Sequence, residues 1–286
     1  MALHLPIIDR CNIGCVFCSA WGRGGRFSLE YLEGEIAADR TGHVQVSGGD
    51  PFLRDPSELL RLLRFCKARG KLVEFQTNAT LVTRLSPALL KAVVAMVDYF
   101  NVNHSAHTPE LDLAVTLVEG GFAQRMAGLR ELARLKAKVR LTYIVHTVNV
   151  RHCRAAVEQV ARDLPRVSWL QFSYAKAMGK ARNNADVVPR YEDAAPCLND
   201  ALRRAVELRV ECVVDHIPVC FVPEFKDRHV DYLKMREGRP GIHLAEKQQV
   251  AACEGCRLRP WCPGPRTDYI DIHGSIDPAA AAAHAP

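Results

Sequence analysis

Short apolar runs rich in β-branched residues alternate along the chain with segments of helical period. The runs predict strands at His4–Ile8, His43–Ser47, Leu72–Thr77, Tyr99–Ser105, Arg140–His146 and Ser168–Tyr174. Between them helices are predicted near Leu29–Ala38, Ser57–Ala68, Pro87–Val97, Gly121–Ala137 and His152–Asp163, with a sixth at Pro196–Leu208. In the fourth, Phe122, Met126, Leu129, Leu132 and Leu135 recur at three to four residues and define one buried stripe. Ser57 and Ser86 stand where N-caps belong. Successive strand–helix units predict an α/β fold with a parallel sheet and crossover helices. Eight units close a barrel; six predict a partial, open TIM-like (β/α)6 barrel. Ligands of such folds sit at the C-terminal ends of the strands, so the loops after each strand carry the chemistry.

Near residue 210 the pattern changes. "RVECVVD" reads as a possible seventh strand, "HIPVCFVPEF" is proline-rich, and four cysteines follow between Cys220 and Cys262. The expected organisation is a barrel over 1–209, a small cysteine-rich domain over 210–275 that needs a metal staple, and a disordered tail over 276–286, where "DPAAAAAHAP" is of low complexity.

Composition then narrows the setting. No apolar run is long enough to span a bilayer, and no signal sequence precedes the first strand, so a cytoplasmic protein without a membrane partner is expected. In a reducing compartment 11 cysteines point to metal or redox work rather than disulfides. A net charge of +6 is mildly basic, but no dense Lys/Arg block with interleaved aromatics supports a nucleic-acid partner.

The first candidate site is "CNIGCVFC", which sets Cys11, Cys15 and Cys18 on the loop after the first strand. Three thiolates suit a [4Fe–4S] cluster with one iron left open for a ligand; zinc with a distant fourth ligand is the alternative. The motif resembles the signature of the radical S-adenosylmethionine (SAM) superfamily. That resemblance implies a SAM-binding [4Fe–4S] cluster, reductive SAM cleavage to a 5′-deoxyadenosyl radical, and hydrogen abstraction from a C–H bond. It also implies an external electron donor, flavodoxin or ferredoxin. Phe17 matches the aromatic position near the adenine. "SGGDP", Ser47, Gly48, Gly49, Asp50 and Pro51, follows the second strand and resembles the family's Gly-Gly-Glu-Pro motif at the methionine amino group, with Asp for Glu. Thr77 and Asn78, in "QTNAT", resemble its Thr-Asn-Gly turn, and Ser105 and Asn149 stand where it places further SAM contacts.

The second candidate site is "CEGCRLRPWC", Cys253, Cys256 and Cys262, with Cys220 upstream. It resembles the twitch and SPASM extensions of the same superfamily, which carry auxiliary iron–sulfur clusters. The next cysteine of the full SPASM pattern is replaced by Arg266, and the upstream Gly-x4-Cys element is missing. The expectation is one auxiliary [4Fe–4S] cluster closed by Cys220, with Cys212 as the alternative fourth ligand. Cys66, Cys153 and Cys197 read as core residues, the last two also as possible hydrogen donors.

The resemblance implies a peptide or small-molecule substrate. Ribosomal-peptide modification (cross-linking, dehydrogenation or epimerisation) stands first, tailoring of a natural product, sugar or nucleoside second, RNA modification third, and a non-enzymatic metal module last. Because ten residues precede Cys11, leader recognition is expected from a separate protein. "YAKAMGKARNN", Tyr174–Asn184, is a candidate anion-holding loop, and His104 and His107 are lone histidines after the fourth strand.

Overall fold

The computed structural model describes residues 2–22, 24–239 and 241–279. Seven strands form one sheet in chain order: β1 Leu3–Ile8, β2 His43–Gly48, β3 Leu72–Thr77, β4 Tyr99–Asn103, β5 Val139–Val145, β6 Trp169–Tyr174 and β7 Cys212–Asp215. Every pairing is parallel, and β1 does not pair with β7, so the barrel stays open. The seventh strand carries the sheet past residue 209, into the stretch expected to belong to the appended domain.

The helices are α1 Leu29–Ala38, α2 Pro56–Ala68, α3 Pro87–Met96, α4 Pro109–Thr116, α5 Gly121–Arg134, α6 Cys153–Asp163, α7 Tyr191–Glu207, α8 Val230–Arg236 and α9 Thr267–His273. The α5 stripe packs as expected, with Met126, Leu129 and Leu132 buried and Phe122 and Leu135 against the core. Of the boundaries that differ from the sequence reading, two have a clear physical cause. Asp55, not Ser57, caps α2, accepting from the Ser57 and Glu58 amides, because Pro56 occupies the first helical position. Helix α7 begins at Tyr191 and holds Pro196 inside it. Tyr191 is drawn into the fold by stacking on Tyr269, with ring centroids 3.7 Å apart at 12°. The short α4 was not anticipated; its role appears at the cysteine loop.

The sheet's two faces reverse the usual barrel pattern. Val44, Val46, Val73, Phe75, Phe100, Val102, Leu141, Leu170 and Phe172 are buried against the helices. The alternate positions face the lumen and are mostly polar. Register aligns Gln45, Glu74 and Tyr99 in one row, then Gln76, Asn101, Arg140 and Trp169, then Asn103, Thr142 and Gln171. Ordinary barrels fill this space with branched aliphatics.

Glu74, fully buried, is the hub. It accepts hydrogen bonds from Gln45 (2.9 Å), Gln76 (3.2 Å), Tyr99 Oη (2.5 Å), Asn101 (2.9 Å) and Arg140 (2.5 Å). Burial opposes its ionisation, but the Arg140 guanidinium and these donors outweigh burial and hold the carboxyl below its ordinary range. A second, small apolar cluster of Val219, Tyr232 and Cys262 serves the C-terminal segment. Of the segment expected to be a tail, Ile276 is buried and the Asp277 amide donates to Glu192; 280–286 lie outside the described residues. Among the described residues no helix is long and apolar enough to cross a membrane.

Glu74→Gln is expected to lower stability at neutral pH by about 3 kcal/mol, since it leaves Arg140 charged and unpaired in the lumen. A depressed folded-state pKa stabilises above the ordinary glutamate value, near 4.5, and that contribution fades as pH falls through the lowered value. The gap between wild type and variant in denaturant titrations therefore narrows on acidification; a constant gap refutes the assignment.

Candidate functional site

The site begins with two backbones in contact. As β1 ends, Gly49 N donates to Ile8 O (2.8 Å) and Asp50 N to Arg10 O (2.9 Å). A Cβ on Gly48 falls 2.0 Å from Ile8 O, and one on Gly49 falls 1.8 Å from Arg10 O. Gly48 also has φ +118°, a conformation other residues resist. Both glycines are thus required by the packing of "SGGDP" against the entry to the cysteine loop. Arg54, reaching from beyond that motif, donates to the carbonyls of Ile7 and Phe27 and fixes the same junction.

The cysteine loop is gripped on two further sides. Gly14 N donates to Thr116 O (2.8 Å) and Val16 N to Val115 O (3.0 Å), which is the work of α4. Lys180 N donates to Cys18 O (3.0 Å) and Lys180 Nζ to Gly14 O (2.8 Å), while a Cβ on Gly179 falls 2.3 Å from Cys18 O. The Tyr174–Asn184 loop therefore clamps the cysteines; its Gly179 and Lys180 do not form an anion cradle.

Within this frame Cys11, Cys15 and Cys18 line a cavity of about 250 Å³ at the C-terminal ends of the strands. Phe17, Gly48, Gly49, Thr77 and Asn78 line it too. Asn78 Nδ2 lies 3.7 Å from Cys11 Sγ and donates to Asn12 Oδ1 (2.9 Å). Burial pushes the Cys15 thiol up to about 12, with Arg125 opposing, so a thiolate here needs an adjacent cation to form. Three soft donors beside bare glycine backbone suit an iron–sulfur cluster and a ligand that must approach closely.

Other expected contacts sit elsewhere. Asp50 is buried behind the motif and accepts from Phe52 N (3.0 Å), Thr77 Oγ1 (2.8 Å) and Asn78 N (2.9 Å), so its shorter carboxylate ties "SGGDP" to "QTNAT". Ser47 Oγ meets His4 Nε2 at 3.0 Å, and Pro51 opens a short 3₁₀ turn. Ser105 Oγ accepts from Ile144 N (2.9 Å), and Asn149 donates to Ser105 O (2.9 Å) and Ile144 O (2.8 Å). Neither lines the cavity: both side chains are committed to buried backbone where β4 and β5 end. His104 is likewise structural, bonded to Gln159 (2.9 Å), and His107 packs on His152.

Lys176, in the Tyr174–Asn184 loop singled out above, lines the cavity as well; the polar lining residues missed in sequence are Gln76, Asn101, Asn103, Thr142 and Ser173. Period-two alternation of polar residues within otherwise apolar strands was the signal that could have found them. Lys176 alone carries a full charge among the described non-cysteine lining residues, and it pairs with Glu246 (2.9 Å). Burial and nearby Arg266 pull its ammonium below the ordinary lysine range, against Glu246.

Cys220, Cys253, Cys256 and Cys262 line a second cavity of about 210 Å³. Burial, then the neighbouring Cys262, Cys256 and Cys253, raise the Cys220 thiol. Cys212 lies apart, fully buried on β7. Among the described residues no three potential ligands converge on a single-ion site, and in each cavity the thiols are arranged around a volume. Arg266, standing where SPASM chains have a cysteine, forks onto Asp268 (2.8 and 2.9 Å) and reaches Glu246 (2.6 Å). That network and Ala177 N donating to Asp268 (2.9 Å) seal the C-terminal segment onto the barrel mouth.

Residues 5–160 match the Radical SAM superfamily profile. The chain belongs to the radical SAM superfamily. It is 25% identical over 276 residues to the PqqA peptide cyclase of Ruegeria pomeroyi, covering 91% of this chain and 69% of that one. A shorter match, 31% over 117 residues, is to a probable GTP 3′,8-cyclase of Methanothermobacter thermautotrophicus, covering 38% and 37%. Among solved structures, anSMEcpe with bound AdoMet superposes with TM-score 0.65 at 13% identity, over 99% of this chain and 94% of that one. Streptococcus suis SuiB superposes with TM-score 0.60 at 12% identity, over 96% and 67%. The open α/β barrel is thus the fold of this superfamily, and the chain is a radical SAM enzyme using SAM and an iron–sulfur cluster.

Gly49→Ala is expected to retain helical and strand content by circular dichroism yet bind iron poorly after anaerobic reconstitution, because the methyl group displaces Arg10 and with it Cys11. Full iron loading by this variant contradicts the packing argument.

Proposed function

We propose that this enzyme modifies a peptide by radical chemistry, using two iron–sulfur clusters. The observation that carries the reading is the coincidence of two cysteine-lined cavities with similarity to a peptide cyclase along nearly the whole chain. Cys11, Cys15 and Cys18 would hold the SAM-binding [4Fe–4S] cluster, and Cys220, Cys253, Cys256 and Cys262 a closed auxiliary one. With its cluster and SAM bound, the site supplies a 5′-deoxyadenosyl radical that takes hydrogen from a C–H bond of the substrate.

The chain's own contribution is positional. Phe17 lines the cavity from the cysteine loop, its ring tilted against the buried His146 ring with centroids 5.1 Å apart. Gly48 and Gly49 present main chain to the ligand, and Thr77 and Asn78 close the wall opposite. Asn101, Asn103, Thr142 and Ser173 offer donors and acceptors to a polar substrate. Lys176, held by Glu246, presents an ammonium at the mouth for a carboxylate or for proton transfer. Cys220, Cys253, Cys256 and Cys262 would give that cluster four protein ligands with no position left open, and when bound it would supply an acceptor for the electron lost on oxidation of a substrate radical. Flavodoxin or ferredoxin would supply the initiating electron, and a separate protein could present a leader segment. Tailoring of a nucleotide-like small molecule is the second reading, favoured by the shorter cyclase match.

Cys15→Ala is expected to abolish 5′-deoxyadenosine release from reconstituted enzyme with dithionite and SAM. The Cys253→Ala, Cys256→Ala double variant is expected to keep basal release, lose about four iron atoms per chain and form no modified peptide. Unchanged iron content in that variant refutes the auxiliary cluster.

A further inference from the structure

The lumen holds a second cavity at its opposite end. Of about 500 Å³, within the range of ligand pockets, it is lined by first-turn positions of the strands and by α8 and the segment after it. The Glu74 network stands between it and the cysteine cavity: Gln76 and Asn101 line one, Glu74 and Arg140 the other. The cavities open at opposite ends of the strands, and their linings meet at the network, where Asn101 is the register partner of Arg140 and Thr142 that of Gln171.

The chemistry of the lining is specific. Arg140, Lys234 and Arg239 are cationic, Arg140 being paired with Glu74 and the exposed Arg239 with Glu237, and Glu74 is the single carboxylate among the described lining residues. Glu74 is already held by Arg140 and four further donors, so it offers little to a ligand. Arg140 Nε is buried without a partner. Gln45 and Gln171, whose amide nitrogens donate to Glu74 (2.9 Å) and Asp215 (2.7 Å), add amide oxygens that can accept from a peptide N–H. Trp169 and Tyr99, ring centroids 5.7 Å apart and tilted 45° to each other, give an aromatic corner.

We propose that this cavity binds a carboxylate-bearing segment of the peptide substrate, at a site remote from the C–H bond that reacts. The inference rests on the peptide reading given above. Because the Glu74 network stands between the two cavities, the bound segment is separated in sequence from the modified residue. The site therefore acts as an anchor that selects acidic peptides.

The test is equilibrium binding to reconstituted enzyme, followed by tryptophan fluorescence. A short blocked glutamate-rich peptide is expected to give a saturable change that weakens with salt and is absent in Trp169→Phe. Lys234→Glu, on α8, is expected to weaken binding by at least about tenfold, and Lys234→Arg to restore it. A lysine-rich peptide of equal length is expected to give no change. No saturable response, equal affinity in Lys234→Glu, or displacement by inorganic phosphate at equal concentration each overturns the proposal. Release of 5′-deoxyadenosine and modification of a peptide, measured on the same preparation, report separately on the peptide reading, which can hold while this site fails.

Discussion

Two strands of main chain, Ile8–Arg10 and Gly48–Asp50, lie so close that no side chain fits between them, and the rest of the site is built outward from that contact. It aims the cysteine loop across the end of the sheet rather than away from it. Thr116 and Lys180 then hold the loop from α4 and from the turn after β6. Three elements far apart in sequence thereby fix three thiols whose own loop has no regular hydrogen bonding. Preorganisation of this kind removes the ordering cost of assembling the ligand set when metal arrives.

A second consequence concerns the lumen. A sheet whose helix-facing side takes the apolar residues can leave its inner side polar only if something satisfies those groups. Here Glu74, itself paired with Arg140, does so for Gln45, Gln76, Tyr99 and Asn101. The network divides the lumen and leaves a cavity at each end. The cysteine end is nearly neutral apart from Lys176; the other end is cationic.

Much of this was legible in the sequence where local constraint is strong. Cysteine spacing located the first site, and paired glycines before Asp50 located the loop that packs on it. The glycines' reason was not legible: it lies in Ile8 O and Arg10 O, some forty positions away. Ser105 and Asn149 were expected at the ligand because they follow strands, yet they serve buried main chain. The sequence shows that a polar residue ends a strand but not which way the chain turns next. Cys220 joins the second cavity and Cys212 does not, although both precede the Cys253–Cys262 group, because Cys212 is fixed in β7. The cationic lumenal cavity was invisible because its residues are single alternating positions spread over the chain.

The central claim is that the cysteine cavity holds a cluster with one iron free to take SAM. Electron paramagnetic resonance of the anaerobically reconstituted Cys253→Ala, Cys256→Ala variant, reduced and titrated with SAM, addresses it directly by isolating the first cluster. The account predicts a [4Fe–4S]⁺ signal whose g-values shift on SAM addition. A signal indifferent to SAM, or bound zinc with no signal, would contradict it.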